Sequence, residues 1–272
     1  MVLIAALAPA GAHTGPVSPP RVGPPRGHLV IVGGGMNSPA ILRRFMKLAG
    51  GAGAPIVVVP TALEGELGDH LESFAAPFRR FGFTHVAVLH TRDPQVADSP
   101  AFAAPLDRAR GVWFGGGRQW RLVDAYAGTR TECAFHQVLA RGGVIGGTSA
   151  GATIQGSYLV RGAPEGNTIM MSPGHEEGFD FLHHVAIDQH VLARGRQRDL
   201  IPVIQAHPDL LGIGIDENTA LVVEGDRAEV VGSSQVLVYD RERLRGGGPQ
   251  PWLRLRPGDV FDLARRRLLP QP

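Results

Sequence analysis

Five short apolar runs without polar alternation, each followed by a helix-like stretch, constrain this 272-residue chain more than any other feature. They are "HLVIVGGG" (28–35), "APIVVVPTA" (54–62), "HVAVLHT" (85–91), "GVWFGGG" (111–117) and the "VIGGTSAG" that begins at Val144. Strands that are apolar on both faces belong in a parallel sheet covered on both sides by helices. The intervening segments fit: "SPAILRRFMKLAG" (38–50) and "LGDHLESFAAPFRRFG" (67–82) predict helices, "SPAFAAPLDRAR" (99–110) a short one, and 118–143 one or two more. After about residue 205 the pattern alternates and turn signals shorten, as in "GIGIDENTALVVEGDRAEVVGSSQVLVYDR". This predicts antiparallel strands that extend the same sheet or form a small β appendage. The expected fold is therefore α/β, mostly parallel, with a C-terminal antiparallel extension.

In such sheets ligands sit beyond the carboxyl ends of the strands. Three of the runs carry glycines there: "VGGG", "FGGG" and "IGGTSAG". The last contains Gly147-Thr148-Ser149-Ala150-Gly151, a G-x-S-x-G pattern. At a strand-to-helix elbow this spacing holds a serine in a sharp turn with small neighbours, and the Ala150 amide can face an oxyanion. A serine in a glycine-rich turn can equally be a simple turn residue. A nucleophilic serine needs a base, and His190 in "DQHVLARGRQRDL" is the best placed of eleven histidines. His183 and His184 read as a loop pair, and His175 in "PGHEEG" as a surface residue. Either Asp188 or Glu217 could orient the base; an Asp216–Glu217 pair between apolar strands is costly unless partnered. The order Ser149, His190, Glu217 is not the Ser, acid, His order of ordinary α/β-hydrolases.

Composition narrows the rest. The net charge is only +2, with Lys47 the only lysine, and no basic stripe suggests nucleic acid. Arg265–Arg267 is the one short basic run. A single cysteine, Cys133, excludes an intrachain disulfide framework and any thiolate-cluster metal site; helical spacing around it predicts a half-buried thiol. No run is long enough to span a bilayer. Residues 1–27, "MVLIAALAPAGAHTG" and then "PVSPPRVGPPRG", read as a Pro-rich disordered linker or a signal-like leader ahead of one domain over 28–272. A cytoplasmic protein is expected, or an exported one if that leader is a signal.

The chain resembles the cyanophycinase-like serine peptidases, relatives of aspartyl dipeptidase with a class I glutamine amidotransferase-like (flavodoxin-like) fold. "VWFGGGRQWRL", "IGGTSAGA", "IDQHVLARGRQRDLI" and "GIGIDENTALVV" carry the resemblance, in the family's order, across about residues 28–240. It implies Ser149 as nucleophile, His190 as general base and acid, Glu217 as its partner, and Gly116 and Ala150 as oxyanion-hole amides. Gln119, Gln189, Arg194 and Arg196 match positions that hold a β-aspartyl-arginine substrate. It implies an aspartate-containing peptide substrate, a homodimer, and neither metal nor cofactor. An isoaspartyl dipeptidase, another small-amide hydrolase or a silent binding protein are the alternative readings on this fold. Two departures fall among the substrate positions: Arg118 stands where an acid is usual, and Asp199 where an arginine is expected.

Overall fold

The computed structural model describes residues 21–35 and 38–270. Residues 1–20, most of the expected leader or linker, lie outside the described residues. The Val22 and Gly23 N–H groups donate to the Asp226 carboxylate, and the Val22 carbonyl accepts from His183 N. The chain is thus held in place ahead of residue 28.

Five strands form the parallel part: β1 (His28–Val32), β2 (Ile56–Val59), β3 (Val86–Val88), β4 (Gly111–Phe114) and β5 (Val144–Thr148). Next come β6 (Gly156–Tyr158), β7 (Leu182–Gln189) and β8 (Leu211–Ile215). The remainder are β9 (Thr219–Glu224), β10 (Arg227–Gly232), β11 (Val236–Tyr239), β12 (Leu253–Leu255), β13 (Val260–Asp262) and β14 (Arg267–Leu268).

The larger sheet has the order β14-β13-β10-β9-β1-β5-β4-β2-β3. Its β1-β5-β4-β2-β3 half is parallel, and β9, β10, β13 and β14 continue it antiparallel. The expected C-terminal extension is therefore present. A second sheet, β12-β11-β8-β7-β6, takes the other strands after residue 205 as the appendage offered above, and adds β6 and β7, which were not anticipated. Its β7 contains His183 and His184, which are strand residues, not a loop pair.

Strand alternation explains the layers. Leu29 and Ile31 of β1 face one core with Phe114, Phe135, Val185 and Ile213, which joins the two sheets. Val30 and Val32 face a second core with Phe45, Phe78 and Trp113, under the helices on the opposite side. Helix Pro39–Ala49 buries Ile41, Phe45 and Ala49, four residues apart, and stops at Gly50 in the left-handed conformation. Gly146 leaves room for Trp113, which packs edge-on to Phe45 at 5.0 Å. Two expected helices are broken. The 67–82 stretch is a 3₁₀ turn (Gly68–Phe74) followed by helix Ala76–Phe81, and 99–110 is Pro100–Ala103 followed by a 3₁₀ turn. Pro77 and Pro105 lack the N–H a continuous helix needs. Among the described residues no helix is long and apolar enough to cross a membrane.

Candidate active site

The "GTSAG" segment forms the elbow. Strand β5 ends at Thr148, helix Ala150–Thr153 begins immediately, and Ser149 turns between them at φ 57°, ψ −114°. A β-carbon on Gly147 would collide with the Gly151 carbonyl, and one on Gly151 with the Phe114 carbonyl. Both glycines are therefore dictated by close backbone approach. The turn is strained for a residue with a side chain, and it lifts the Ser149 hydroxyl off the sheet's carboxyl edge.

Three segments converge there. Ser149 Oγ lies 2.8 Å from His190 Nε2, and His190 Nδ1 lies 2.6 Å from Glu217 Oε1. The backbone of all three segments is tied to consecutive carbonyls at the end of β1. Ser149 N donates to Val32 O (3.0 Å), His190 N to Gly33 O (2.8 Å), and Asn218 N, beside Glu217, to Gly34 O (2.8 Å). Gly34, at φ 127°, lies under the imidazole, where a β-carbon would overlap ring atoms Cε1 and Nδ1. The "GGG" after β1 thus gauges the spacing of the three side chains.

Asp216 does not act on the histidine. Its Oδ1 accepts from the Leu192 and Ala193 N–H groups (3.0 and 2.9 Å), and its Oδ2 from Ser234 (2.6 Å). These bonds satisfy the buried carboxylate and fix the loop that leaves His190. Burial holds His190 below its ordinary pKa; Arg194 and Arg196 push the same way, while Glu217 opposes them. The imidazole is therefore neutral at pH 7, the state a general base requires.

Gly116, in the turn after β4, lies against the serine: a β-carbon there would be 3.3 Å from Ser149 Cβ and 3.8 Å from Oγ. The Ala150 N–H, in the first turn of its helix, has no intrahelical acceptor. Gly116 and Ala150 thus flank Ser149, one in the turn after β4 and the other directly after the serine.

Beyond His190 the 190–199 loop borders a pocket of about 540 Å³ lined by Arg161, Arg194, Arg196, Arg198 and Asp199, with Met170 on its wall. Arg194 is exposed. Arg196 Nη1 donates to Gln189 Oε1 (2.9 Å), which pins that guanidinium. Gln119 is buried, and its amide donates to Val160 O at 2.8 Å. Arg161 has the largest side chain among the fully buried residues. It pairs with both Asp188 oxygens (2.7 and 2.9 Å) and with Asp199 Oδ2 (2.6 Å). Burial alone would lower its pKa, but the bonds to Asp188 and Asp199 outweigh it and keep it charged.

The family model of peptidase family S51 matches residues 29–231. The chain belongs to peptidase family S51. Among its relatives, the cyanophycinase of Trichormus variabilis is 32% identical over 264 residues, covering 89% of this chain and 87% of the relative. The cyanophycinase of Geminocystis herdmanii is 30% identical over 231 residues, 80% of this chain and 82% of the relative. The fold is shared with a crystal structure of a peptidase from an acI-B1 Actinobacterium. That structure has TM-score 0.66 at 23% identity, covering 89% of this chain and 97% of the other.

In this S51 peptidase the two carboxylates left open by the sequence separate cleanly. Glu217 contacts the histidine, whereas Asp188 is consumed by Arg161. Arg161 escaped the sequence reading because a lone arginine between "LV" and "GAP" carries no periodic signal. Arg118 reaches Ala163 O at 2.5 Å and so braces the segment after Arg161. His175 stands apart, paired with Asp124 at 3.1 Å. Cys133 is exposed, contrary to the expected half-buried thiol, because its helix turns Ala134, Phe135 and Val138 inward instead.

Proposed function

We propose that this S51 peptidase is a serine peptidase that cleaves aspartyl peptide bonds, in particular β-aspartyl ones, with residues 28–272 as one hydrolytic unit. The observation that carries the reading is the Ser149–His190–Glu217 chain of contacts at 2.8 and 2.6 Å, mounted on a strained elbow. Neutral His190 takes the Ser149 proton at Nε2 while its Nδ1–H donates to Glu217. The Ser149 oxygen adds to the scissile carbonyl, and the Gly116 and Ala150 N–H groups stabilise the oxyanion. Protonated His190 gives its proton to the leaving amine. Water, activated by the same histidine, then resolves the acyl-enzyme.

Substrate class follows from the loop beyond His190. Arg194 and Arg196 supply planar donor pairs suited to the free carboxylate of an aspartyl unit; Gln189 and Gln119 stand behind them, buried and committed to Arg196 and to Val160 O. The cyanophycinase relatives make β-Asp-Arg units of cyanophycin the first substrate to test. An isoaspartyl dipeptidase is the second reading, favoured by Asp199 standing where the family pattern expects an arginine.

The test is hydrolysis of cyanophycin and isoaspartyl dipeptides by wild type and Ser149→Ala, with a serine-reactive phosphonate as label. Replacement should lower turnover by about 10⁴-fold or more and abolish labelling. Unchanged hydrolysis by the variant would eliminate Ser149 as nucleophile. A wild type that neither turns over nor labels would be a silent binding protein.

A further inference from the structure

The loop that carries His190 begins and ends on the same side chain. It leaves β7 at Gln189 and runs to Asp199, where helix Leu200–Ala206 starts. Arg161 grips both ends. Its Nε and Nη2 donate to the two Asp188 oxygens (2.7 and 2.9 Å), and Nη2 also donates to Asp199 Oδ2 (2.6 Å). Its Nη1 donates to Asn167 O at 2.7 Å, which fixes the remaining edge of the guanidinium. The planar fork holds its donors in a fixed geometry, so these contacts set the separation of the two loop ends. The Arg161 side chain is 2% exposed, and its backbone sits at φ 57°. His190 sits at φ 55°. Both are strained positions for residues with side chains, kept only where the surroundings enforce them.

We propose that Arg161 is a positioning residue: by fixing both ends of the 188–199 loop it sets where His190 stands against Ser149. This rests on the Ser149–His190 reading of the site. The grip is passed on through named contacts. Asp188 Oδ1 also accepts from Gln189 N, in the peptide just before His190, and Gln189 Oε1 accepts from Arg196. Arg161 thus reaches the base, and the arginines that follow it, only through its two carboxylates. A buried ion pair adds little stability by itself, because desolvating two charges offsets their attraction. What one guanidinium on two carboxylates supplies here is geometry.

The experiment follows covalent labelling of Ser149 by a neutral fluorophosphonate, which needs the serine and its base but no aspartyl substrate. The saturating rate and the half-saturating concentration are read separately, across the acid limb. Asp199→Asn and Asp199→Ala carry the same charge and leave the buried Arg161–Asp188 pair whole, but only asparagine offers Arg161 an oxygen. At saturation Asp199→Ala should label about tenfold more slowly than Asp199→Asn, part of the roughly 10²-fold that a displacement of about 1 Å costs. Half-saturation should be the same for the two. Arg161→Met combined with Asp188→Asn, which leaves no lone buried charge, should lose the full 10²-fold or so. Arg194 and Arg196 push the His190 pKa down and Glu217 opposes them. A loop freed at its far end carries both arginines away, so the acid limb of Asp199→Ala should lie at higher pH than that of Asp199→Asn. Equal saturating rates for the two Asp199 variants overturn the inference. So does a slower Asp199→Ala whose acid limb coincides with that of Asp199→Asn, the mark of a purely structural role, or a difference confined to half-saturation. Wild type that does not label overturns the reaction reading and the inference together, whereas labelled wild type with equal Asp199 variants overturns the inference alone.

Discussion

Replacing Gly34 by alanine puts a methyl group where the His190 ring already lies. The added β-carbon overlaps Cε1 and Nδ1 and stands 3.0 Å from Nε2. Carbon atoms in contact settle at about 3.5–4.0 Å, so the ring and the 33–35 turn must separate by roughly 1 Å. Neither moves freely: His190 N is bonded to Gly33 O and Asn218 N to Gly34 O. A displacement of roughly 1 Å at a catalytic group costs about 10²-fold in rate. The φ of 127° adds backbone strain that any alanine would carry, on the order of 1–3 kcal/mol. Gly51 supplies the control. It also has positive φ (101°), but a β-carbon there meets nothing within 4 Å. Gly51→Ala should lose stability and keep activity; Gly34→Ala should lose kcat/KM by about 10²-fold while remaining folded by circular dichroism. A folded Gly34→Ala protein with kcat/KM within about threefold of wild type would refute the argument that this glycine spaces the triad.

Two further outcomes follow from the same geometry. Glu217 raises the His190 pKa against burial and the two arginines, so Glu217→Gln should lower it further. The base is active only when neutral, so the acid limb of the kcat/KM profile should move to lower pH. Its plateau should fall by about 10²- to 10⁴-fold, and an acid limb moving upward would contradict the assignment. Gly151→Ala forces a β-carbon into the Phe114 carbonyl. It should lower Tm far more than alanine at Gly142, which meets nothing within 4 Å, and equal losses would show that the elbow tolerates a wider turn.

The parallel half and the elbow were legible because they rest on local rules. Apolar runs such as "VIVGGG" cannot face water on either side, and G-x-S-x-G marks its own turn. Ser149, His190 and Glu217 do come together, with Gly116 beside the serine. Long-range pairing was the harder part. The second sheet depends on β7 lying beside β8 and β6, and "LHHVAIDQ" shows two histidines where a strand signal would be apolar. Asp188 and Glu217 looked interchangeable as partners because the guanidinium that claims Asp188 comes from residue 161, in a segment without pattern. The broken helices at Pro77 and Pro105 were visible as prolines but outweighed by the surrounding periodicity.

The three carbonyls at 32–34 separate what this enzyme does from what it acts on. Ser149, His190 and the residue beside Glu217 are all referenced to one short stretch of backbone. Substitutions at Thr168 and Met170 can therefore reshape the pocket wall without retiming the chemistry, whereas those at Arg194 and Arg196 also shift the His190 pKa. A designer seeking a new peptide substrate should leave the first glycine turn untouched and begin with the 168–170 wall of the pocket.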